Sequence, residues 1–310
     1  MGNYITIDGG TTNTRISLVM ENEVIKTIKI HVGAGSGKKE YLKSEIKNAV
    51  SELSVNVEKI LASGMITSEM GLCSLPHIPA PAGICELHGG MHEVVLPEIS
   101  DIPFVFIPGI KISDETLEHT DMMRGEETEL IGLGENLHDN SLYILPGSHS
   151  KIIRTDSCGR VTDFKTTLTG EMIWALSQDT ILKDAVNLSQ SETSEEYLIK
   201  GYRYCTDCGL NAALFKTRIL KNMFGRNERE IYGFFMGAVL QAEIDAIIKA
   251  KENKIIIAGK RQIKNTMVSL LGALCSKKII CISDKTAETA PTIGAVKIYE
   301  YKRREQDEFL

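Results

Sequence analysis

The order strand, glycine-rich turn, strand, turn, strand, then helix, strand and helix runs twice along this 310-residue chain. It limits the folds open to the chain more than any other feature. In the first pass, residues 4–7 alternate and end in Asp8-Gly9-Gly10-Thr11-Thr12-Asn13. Residues 15–20 resume a β-prone run, Glu21-Asn22-Glu23 turns, and residues 24–30 form a third strand. A helix is expected over about 38–53, with Leu42, Ile46, Ala49, Val50 and Leu53 on one face. Strands at 59–62 and 104–107 follow. In the second pass, a strand at 142–145 ends in Pro146-Gly147-Ser148-His149-Ser150, and strands at 151–155 and 161–166 flank Asp156-Ser157-Cys158-Gly159. A helical region over about 170–250, a strand at 254–258 closed by Gly259, a helix, a strand at 279–282 and a last helix over 286–299 complete it. One hairpin with a glycine turn is a weak signal; two at matching places point to one supersecondary unit used twice.

The length suits two domains. The boundary is placed near residue 125, giving domains over 1–125 and 126–310. A formal net charge of −6 argues against general nucleic-acid binding, which favours basic faces. It leaves room for a local basic pocket that takes a small anion. Seven cysteines without framework spacing read as reduced thiols of a cytoplasmic protein. The N-terminus enters a strand at once, without a basic and then apolar leader, and no run of some 18 apolar residues exists to span a membrane.

Four stretches can carry chemistry. In Asp8-Gly9-Gly10-Thr11-Thr12-Asn13 a carboxylate at a strand end can hold Mg2+ through water. The two glycines let backbone approach a phosphate, and Thr11, Thr12 and Asn13 add donors. A plain hairpin would need the glycines but neither the Asp nor the polar triplet. Gly147-Ser148-His149-Ser150-Lys151 suits a clamp on the β- and γ-phosphates, against the alternative of a surface hairpin with a solvated lysine. Ala258-Gly259, where a buried strand meets a helix, is a common seat for adenosine, though an ordinary strand-to-helix turn looks the same. In Asp121-Met122-Met123-Arg124-Gly125-Glu126-Glu127-Thr128, carboxylates beside an Arg could give a general base and an anion clamp, or simply an acidic first helical turn.

Other patterns are set aside. Residues 32–39, Val-Gly-Ala-Gly-Ser-Gly-Lys-Lys, miss the Walker pattern at both Val32 and Lys39 and read as a flexible loop. Cys205 and Cys208 lack a partner pair and read as structural. His88 and His92 are separated by Gly89-Gly90, unfit for a metal-bearing helix. Trp174 is expected in core or helix packing.

Together, Asp8-x-Gly-Thr-Thr-Asn, Gly64-Met65-Ile66, Pro79-x-Pro81, Met123-Arg124-Gly125-Glu126-Glu127-Thr128, the 145–151 stretch and Thr169-Gly170-Glu171 resemble the 2-dehydro-3-deoxygalactonokinase family. That family lies in the sugar-kinase, Hsp70 and actin superfamily. The matches run in family order over residues 8–171, and the 130 residues after them match loosely. The chain carries Gly9, Ser148 and Ile152 where the family usually has Trp, Thr and Trp, which leaves room for a different sugar acid. The resemblance implies an α/β protein of two ribonuclease H-like domains around a central cleft, the actin/hexokinase-type fold. It implies transfer of the ATP γ-phosphate to the 6-hydroxyl of 2-dehydro-3-deoxy-D-galactonate, in D-galactonate breakdown. Asp8 would bind Mg2+. The turns at Gly9, Gly10, Thr11, Thr12, Asn13 and at Gly147, Ser148, His149, Ser150, Lys151 would hold the phosphates. Ala258 and Gly259 would border adenosine. The base would be Glu127 or Glu126, with Asp121 in reserve. Arg124 would bind the substrate carboxylate, and Ser63, Gly64, Met65 and Ile66 would line the sugar pocket. The first domain would take the sugar acid and the second the nucleotide.

Three rivals stand beside this reading. They are a kinase for another sugar acid or amino-sugar, an ATP-driven binding or assembly protein of the Hsp70/actin kind, and a sugar-responsive repressor. The last needs a DNA-binding extension, whereas the chain begins at its first strand. Helices between 176 and 250 carry either a homodimer surface or core.

Overall fold

The computed structural model describes residues 2–134, 141–190, 192–259 and 261–301. Its strands are β1 (Tyr4–Gly9), β2 (Thr14–Met20), β3 (Glu23–Ile30), β4 (Lys59–Gly64), β5 (Ile78–Pro79), β6 (His92–Leu96), β7 (Ser100–Phe106), β8 (Ile110–Ile112), β9 (Asp121–Met123), β10 (Ser141–Leu145), β11 (Ser150–Thr155), β12 (Val161–Thr167), β13 (Lys254–Ile257) and β14 (Lys278–Cys281). Its α-helices are α1 (Lys39–Leu53), α2 (Ile84–Gly89), α3 (Glu126–Gly132), α4 (Thr169–Gln178), α5 (Glu195–Cys208), α6 (Leu210–Asn222), α7 (Glu228–Lys249), α8 (Arg261–Leu274) and α9 (Asp284–Tyr299). Backbone contacts divide the chain into a unit of Met1–Asp139, Thr155–Phe164 and Lys285–Leu310 and a unit of Asn140–Arg154 and Lys165–Asp284.

In the first unit the main sheet runs β3-β2-β1-β4-β7-β6. The β1–β2 and β2–β3 pairs are antiparallel, whereas β1–β4 and β4–β7 are parallel. Tyr4, Ile5 and Ile7 of central β1 are all buried, as expected of a strand covered on both faces. Strand β3 lies at the edge and keeps Lys26 and Lys29 in solvent, which discourages edge-to-edge pairing. The expected apolar stripe of α1 is buried residue for residue, at Leu42, Ile46, Ala49, Val50 and Leu53. A small sheet, β5-β8-β9, leads into α3.

Helix α9 packs on this same unit and fixes α3. A Cβ on Gly132 would stand 1.8 Å from the Ala290 carbonyl oxygen, and one on Gly294 would stand 1.8 Å from that of Thr128. The two helices therefore touch backbone to backbone, at a separation only glycine permits. The Thr6 hydroxyl donates to that of Thr292 at 3.2 Å, tying α9 to β1 as well.

The second unit repeats the pattern in the sheet β12-β11-β10-β13-β14. Strand β10 pairs antiparallel with β11 and parallel with β13, which pairs parallel with β14. Strands β1 and β10 thus hold equivalent places, each between its hairpin partner and a parallel strand, and each feeds a glycine turn. The sheets are mixed and α-helices lie between their strands in sequence, so the expected α/β unit is present twice. Helix α7 has 22 residues and is long and apolar enough to cross a membrane by composition alone. Its apolar residues are instead buried in the unit's own core with Leu142, Ile144, Leu198, Ile255 and Met267. All seven cysteines are free.

Two expectations are corrected. Trp174 lies on α4 and is 57% exposed, outside the core. Residues 32–37 are an ordered segment, with Val32 and Ala34 buried and a 3-10 turn at Ala34–Ser36. The missing Walker residues signalled no P-loop, but the glycines serve a close backbone approach described below.

Candidate active site

Where β1 and β4 end side by side, Asp8 pairs with Ser63 and Gly9 with Gly64. Both strands must then leave the sheet, and local glycines make that geometry available. Gly64 has φ 79° and ψ −156°, a region almost closed to residues with a Cβ. Its own Cβ would meet the Gly9 carbonyl oxygen at 2.5 Å. Gly9 in turn faces Ile66, whose Cβ would stand 2.7 Å from a side chain there. The amide of Gly10 donates to the Asn13 carbonyl at 2.9 Å, closing the first turn. The 33–36 segment buttresses it: Ala34 N donates to Gly10 O at 3.1 Å, and Gly35 N to Thr11 O at 2.9 Å. Thr12 and Asn13 remain exposed, with the Asn13 amide donating to the Thr12 hydroxyl.

Asp8 is only partly exposed and lies 3.6 Å from Nε of Arg15. Burial raises its pKa, the Arg15 charge pulls it back, and the Glu126 charge raises it further. A cavity of about 320 Å3 opens beside it, lined by Arg15, Ser17, Lys29, Glu288 and Thr292.

Helix α3 brings further carboxylates. Gly125, at φ 115°, precedes it, and its Cβ would lie 3.2 Å from the Gly64 Cα. Sequence-distant glycines thus meet where β4 and α3 converge. Thr128 Oγ1 reaches Ser63 Oγ at 3.4 Å. Glu127 is 1% exposed and accepts the Gly125 amide with both oxygens, at 2.7 and 2.9 Å. Burial and then the Glu126 charge push its pKa up to about 8. Glu129 is also pushed up to about 8, by burial and then by the charges of Glu126 and Asp8. Glu126 is half-buried, accepts the Arg124 amide at 3.1 Å, and is the charge felt by Asp8, Glu127 and Glu129 alike. Four carboxyl groups therefore lie near the ends of β1 and β4, and the Glu126 charge favours the protonated form of the other three.

Arg124 is heavily engaged by protein. Its Nη1 donates to the carbonyl and hydroxyl of Thr67, each at 2.6 Å. Its Nη2 donates to Leu75 O at 2.9 Å and lies 3.1 Å from His77 Nδ1. The guanidinium so braces the 67–77 segment that follows Met65 and Ile66. Burial and the charges of Arg124 and Lys111 lower His77 to about 4, so its ring is neutral and accepts from Arg124. Asp121 begins β9, three residues before Arg124, and accepts its neighbour Met122's amide.

The second turn belongs to the other unit. Gly147 N is 3.4 Å from Ser150 Oγ, and Ser150 is fully buried. Lys151 lies inside β11 opposite Leu145 and is buried, rather than at the tip of the turn. His149 Nε2 and Glu171 Oε1 are 3.0 Å apart. Ser148 O accepts the amides of Gly170 and Glu171. Ala258 donates its amide to Ile144 O, and Gly259, at φ 101°, lies so close to Pro146 that a Cβ would stand 2.6 Å from the Pro146 carbonyl oxygen. The residues assigned to adenosine and the second turn are thus neighbours. A second cavity, about 650 Å3, lies among Lys183, Asn187, Lys221 and Arg226, where sequence reasoning placed nothing.

Sequence reasoning missed Glu129, whose only signal was a third acid just after Glu126-Glu127. It also missed Arg15 and the α9 residues Glu288 and Thr292, which carry no motif.

The chain is similar to several known proteins. A family sequence model described as 2-keto-3-deoxy-galactonokinase matches residues 8–290. A 2-dehydro-3-deoxygalactonokinase of Escherichia coli K12 is 28% identical over 247 residues, covering 78% of this chain and 79% of that protein. A Rhizobium meliloti protein named for the same activity, DgoK1, is 30% identical over 188 residues, 60% of each chain. A crystal structure from Sinorhizobium meliloti, also named for that activity, superposes with a TM-score of 0.78 at 22% identity over 95% of this chain and 96% of that one. An activator of 2-hydroxyisocaproyl-CoA dehydratase from Clostridium difficile, bound to ADPNP, shares the fold at a TM-score of 0.53 and 11% identity, over 99% and 97% of the two chains. With the family match spanning both glycine turns and the α3 carboxylates, the chain belongs to the 2-keto-3-deoxy-galactonokinase family of sugar kinases.

Proposed function

We propose that this chain transfers the γ-phosphoryl group of ATP to the 6-hydroxyl of 2-dehydro-3-deoxy-D-galactonate, in the cytoplasm, as a step of D-galactonate breakdown. The family match over residues 8–290 carries the reading, and the convergence of Asp8 with the α3 carboxylates supports it. The sugar acid is assigned to the Ser63–Ile66 side and the nucleotide to the Gly147–Lys151 and Ala258–Gly259 side. A homodimer is the assembly proposed.

Phosphoryl transfer asks a protein mainly for positioning and charge stabilisation. Backbone amides of the two turns, beyond those of Gly10 and Gly147 that the protein itself engages, would supply donors for phosphate oxygens, with the hydroxyls of Thr11 and Thr12 beside them. Asp8 offers a hard oxygen, and no group of three or more His, Cys, Asp or Glu side chains is placed to cage a metal among the described residues. That donor set fits Mg2+, which keeps waters and substrate phosphates in its shell; Asp8 would hold it, and it would neutralise phosphate charge there.

Glu126 is assigned as the general base. It is half-buried, whereas Glu127 is buried, turned onto the Gly125 amide, and has its pKa pushed up to about 8. Glu127 and Asp121 remain the other candidates. The bonds of Arg124 to Thr67 and Leu75 suit it to shape the sugar-acid pocket, and the substrate carboxylate is assigned to it.

Phosphorus NMR of the product tests the assignment of the hydroxyl. A phosphomonoester coupled to the two C6 protons is expected. A phosphate on a secondary carbon, or inorganic phosphate alone, overturns it.

A further inference from the structure

We propose that Glu243 is a positioning residue for the reaction: through the hydroxyls of Thr167 and Thr169 it fixes the start of α4 against the Gly147–Ser150 turn. The inference rests on the assignment of that turn to nucleotide phosphates.

Glu243 projects from α7 and is 4% exposed. Its Oε1 contacts Oγ1 of Thr167, the last residue of β12, and Oγ1 of Thr169, the first residue of α4. The two hydroxyls also lie 2.9 Å from each other. One carboxyl oxygen thus ties a strand end to a helix start. Both hydroxyls are placed to donate to that one oxygen. The other oxygen, Oε2, is buried without a partner among the described residues. A neutral acid tolerates that, whereas an ionised carboxylate would leave charge unpaired in the core. Burial moves the group the same way, up to about 7.

What this knot holds is the second turn. Gly170 and Glu171 donate their amides to Ser148 O at 3.1 and 3.2 Å. A Cβ on Gly170 would stand 2.2 Å from the Gly147 carbonyl oxygen, so helix start and turn are in backbone contact. Any drift of Thr169 is passed to Gly147 and Ser148. Phosphate donors act only when aimed, and a displacement of about 1 Å can lower a rate by roughly 10²-fold.

The test uses the full-length protein and the variants Glu243→Ala, Glu243→Gln, Thr169→Val and Gly147→Val. Binding of a non-hydrolysable ATP analogue with Mg2+ is read by calorimetry, alongside the KM for ATP and for the sugar acid. Glu243→Ala and Thr169→Val are each expected to weaken nucleotide binding about tenfold while the sugar-acid KM moves less than about twofold. Glu243→Gln, neutral and of the same shape, recovers most of the affinity. A variant carrying both Glu243→Ala and Thr169→Val is expected to be no worse than the worse of the two singles, because both cut one linkage. Unchanged nucleotide affinity in folded Glu243→Ala and Thr169→Val, with Gly147→Val impaired, overturns the role of Glu243 alone. Unchanged affinity in Gly147→Val, where a would-be Cβ meets nothing nearer than 3.4 Å, removes the phosphate assignment and the proposal with it. Should Glu243→Ala fail to fold, Thr169→Val, which loses a single hydroxyl, decides.

Discussion

Both carboxyl oxygens of Glu127, a side chain buried from solvent, accept the amide hydrogen of Gly125, at 2.7 and 2.9 Å. An acid whose folded pKa lies above its unfolded value keeps its proton after the unfolded chain has released it. Stability is then highest below the ordinary value of 4.5 and falls as pH rises toward about 8. Glu129 behaves the same way, at up to about 1.4 kcal/mol per pH unit for each proton retained. Thermal melts should show a midpoint that declines between about pH 5 and 8. In Glu127→Gln that decline should be shallower. An equal slope in both proteins would mean that Glu127 is ionised in the fold.

Neutralising Glu126 should act on chemistry instead. It is the shared charge beside Asp8, Glu127 and Glu129, so Glu126→Gln lowers the pKa of all three. Loss of a positioned base lowers kcat roughly 10²–10⁴-fold while ATP still binds. Glu127→Gln, assayed in parallel, should lose far less. The reverse ranking would move the base to Glu127.

Arg124→Lys removes a planar fork that bonds Thr67, Leu75 and His77 together. Urea unfolding should show a loss of about 2 kcal/mol, since bonds from a charged donor carry more than neutral ones. The sugar-acid KM should rise with it, because the 67–77 segment follows Met65 and Ile66. Wild-type stability with a raised KM would instead make Arg124 purely a ligand residue.

Two glycines of opposite surroundings give a paired test. Gly9→Ala drives a methyl to 2.7 Å from the Ile66 Cβ, and overpacking of this kind destabilises by roughly 1–3 kcal/mol. Gly272 lies within α8 with nothing within 4 Å of its would-be Cβ. Gly272→Ala should stabilise by about 0.5–1 kcal/mol. Unfolding curves showing similar losses at both sites would contradict the packing described at Gly9.

The hairpins and both glycine turns were legible because their signals are local. Alternation, turn residues and the carboxylate of Asp8 sit within a dozen positions. The glycines of residues 33–37 were visible too, but their purpose was not: Gly33 and Gly35 serve an approach to Gly10 and Thr11 more than twenty positions away. Helix α9 gave no sign of which unit it joins, since Gly294 and Thr292 act only through Thr128 and Thr6. Glu129 looked like ordinary charge in an acidic first turn. Glu243 stood two residues before Asp245 in the C-terminal half of an apolar helix, with nothing local to mark it as buried or to name its partners.

The most direct measurement is ADP release from Mg-ATP by the purified protein with 2-dehydro-3-deoxy-D-galactonate, its gluconate epimer and plain sugars as acceptors. Strong stimulation by the galactonate compound alone is predicted. Stimulation by another acid would keep the kinase chemistry and move the substrate. Slow hydrolysis that no acceptor accelerates would contradict the kinase account.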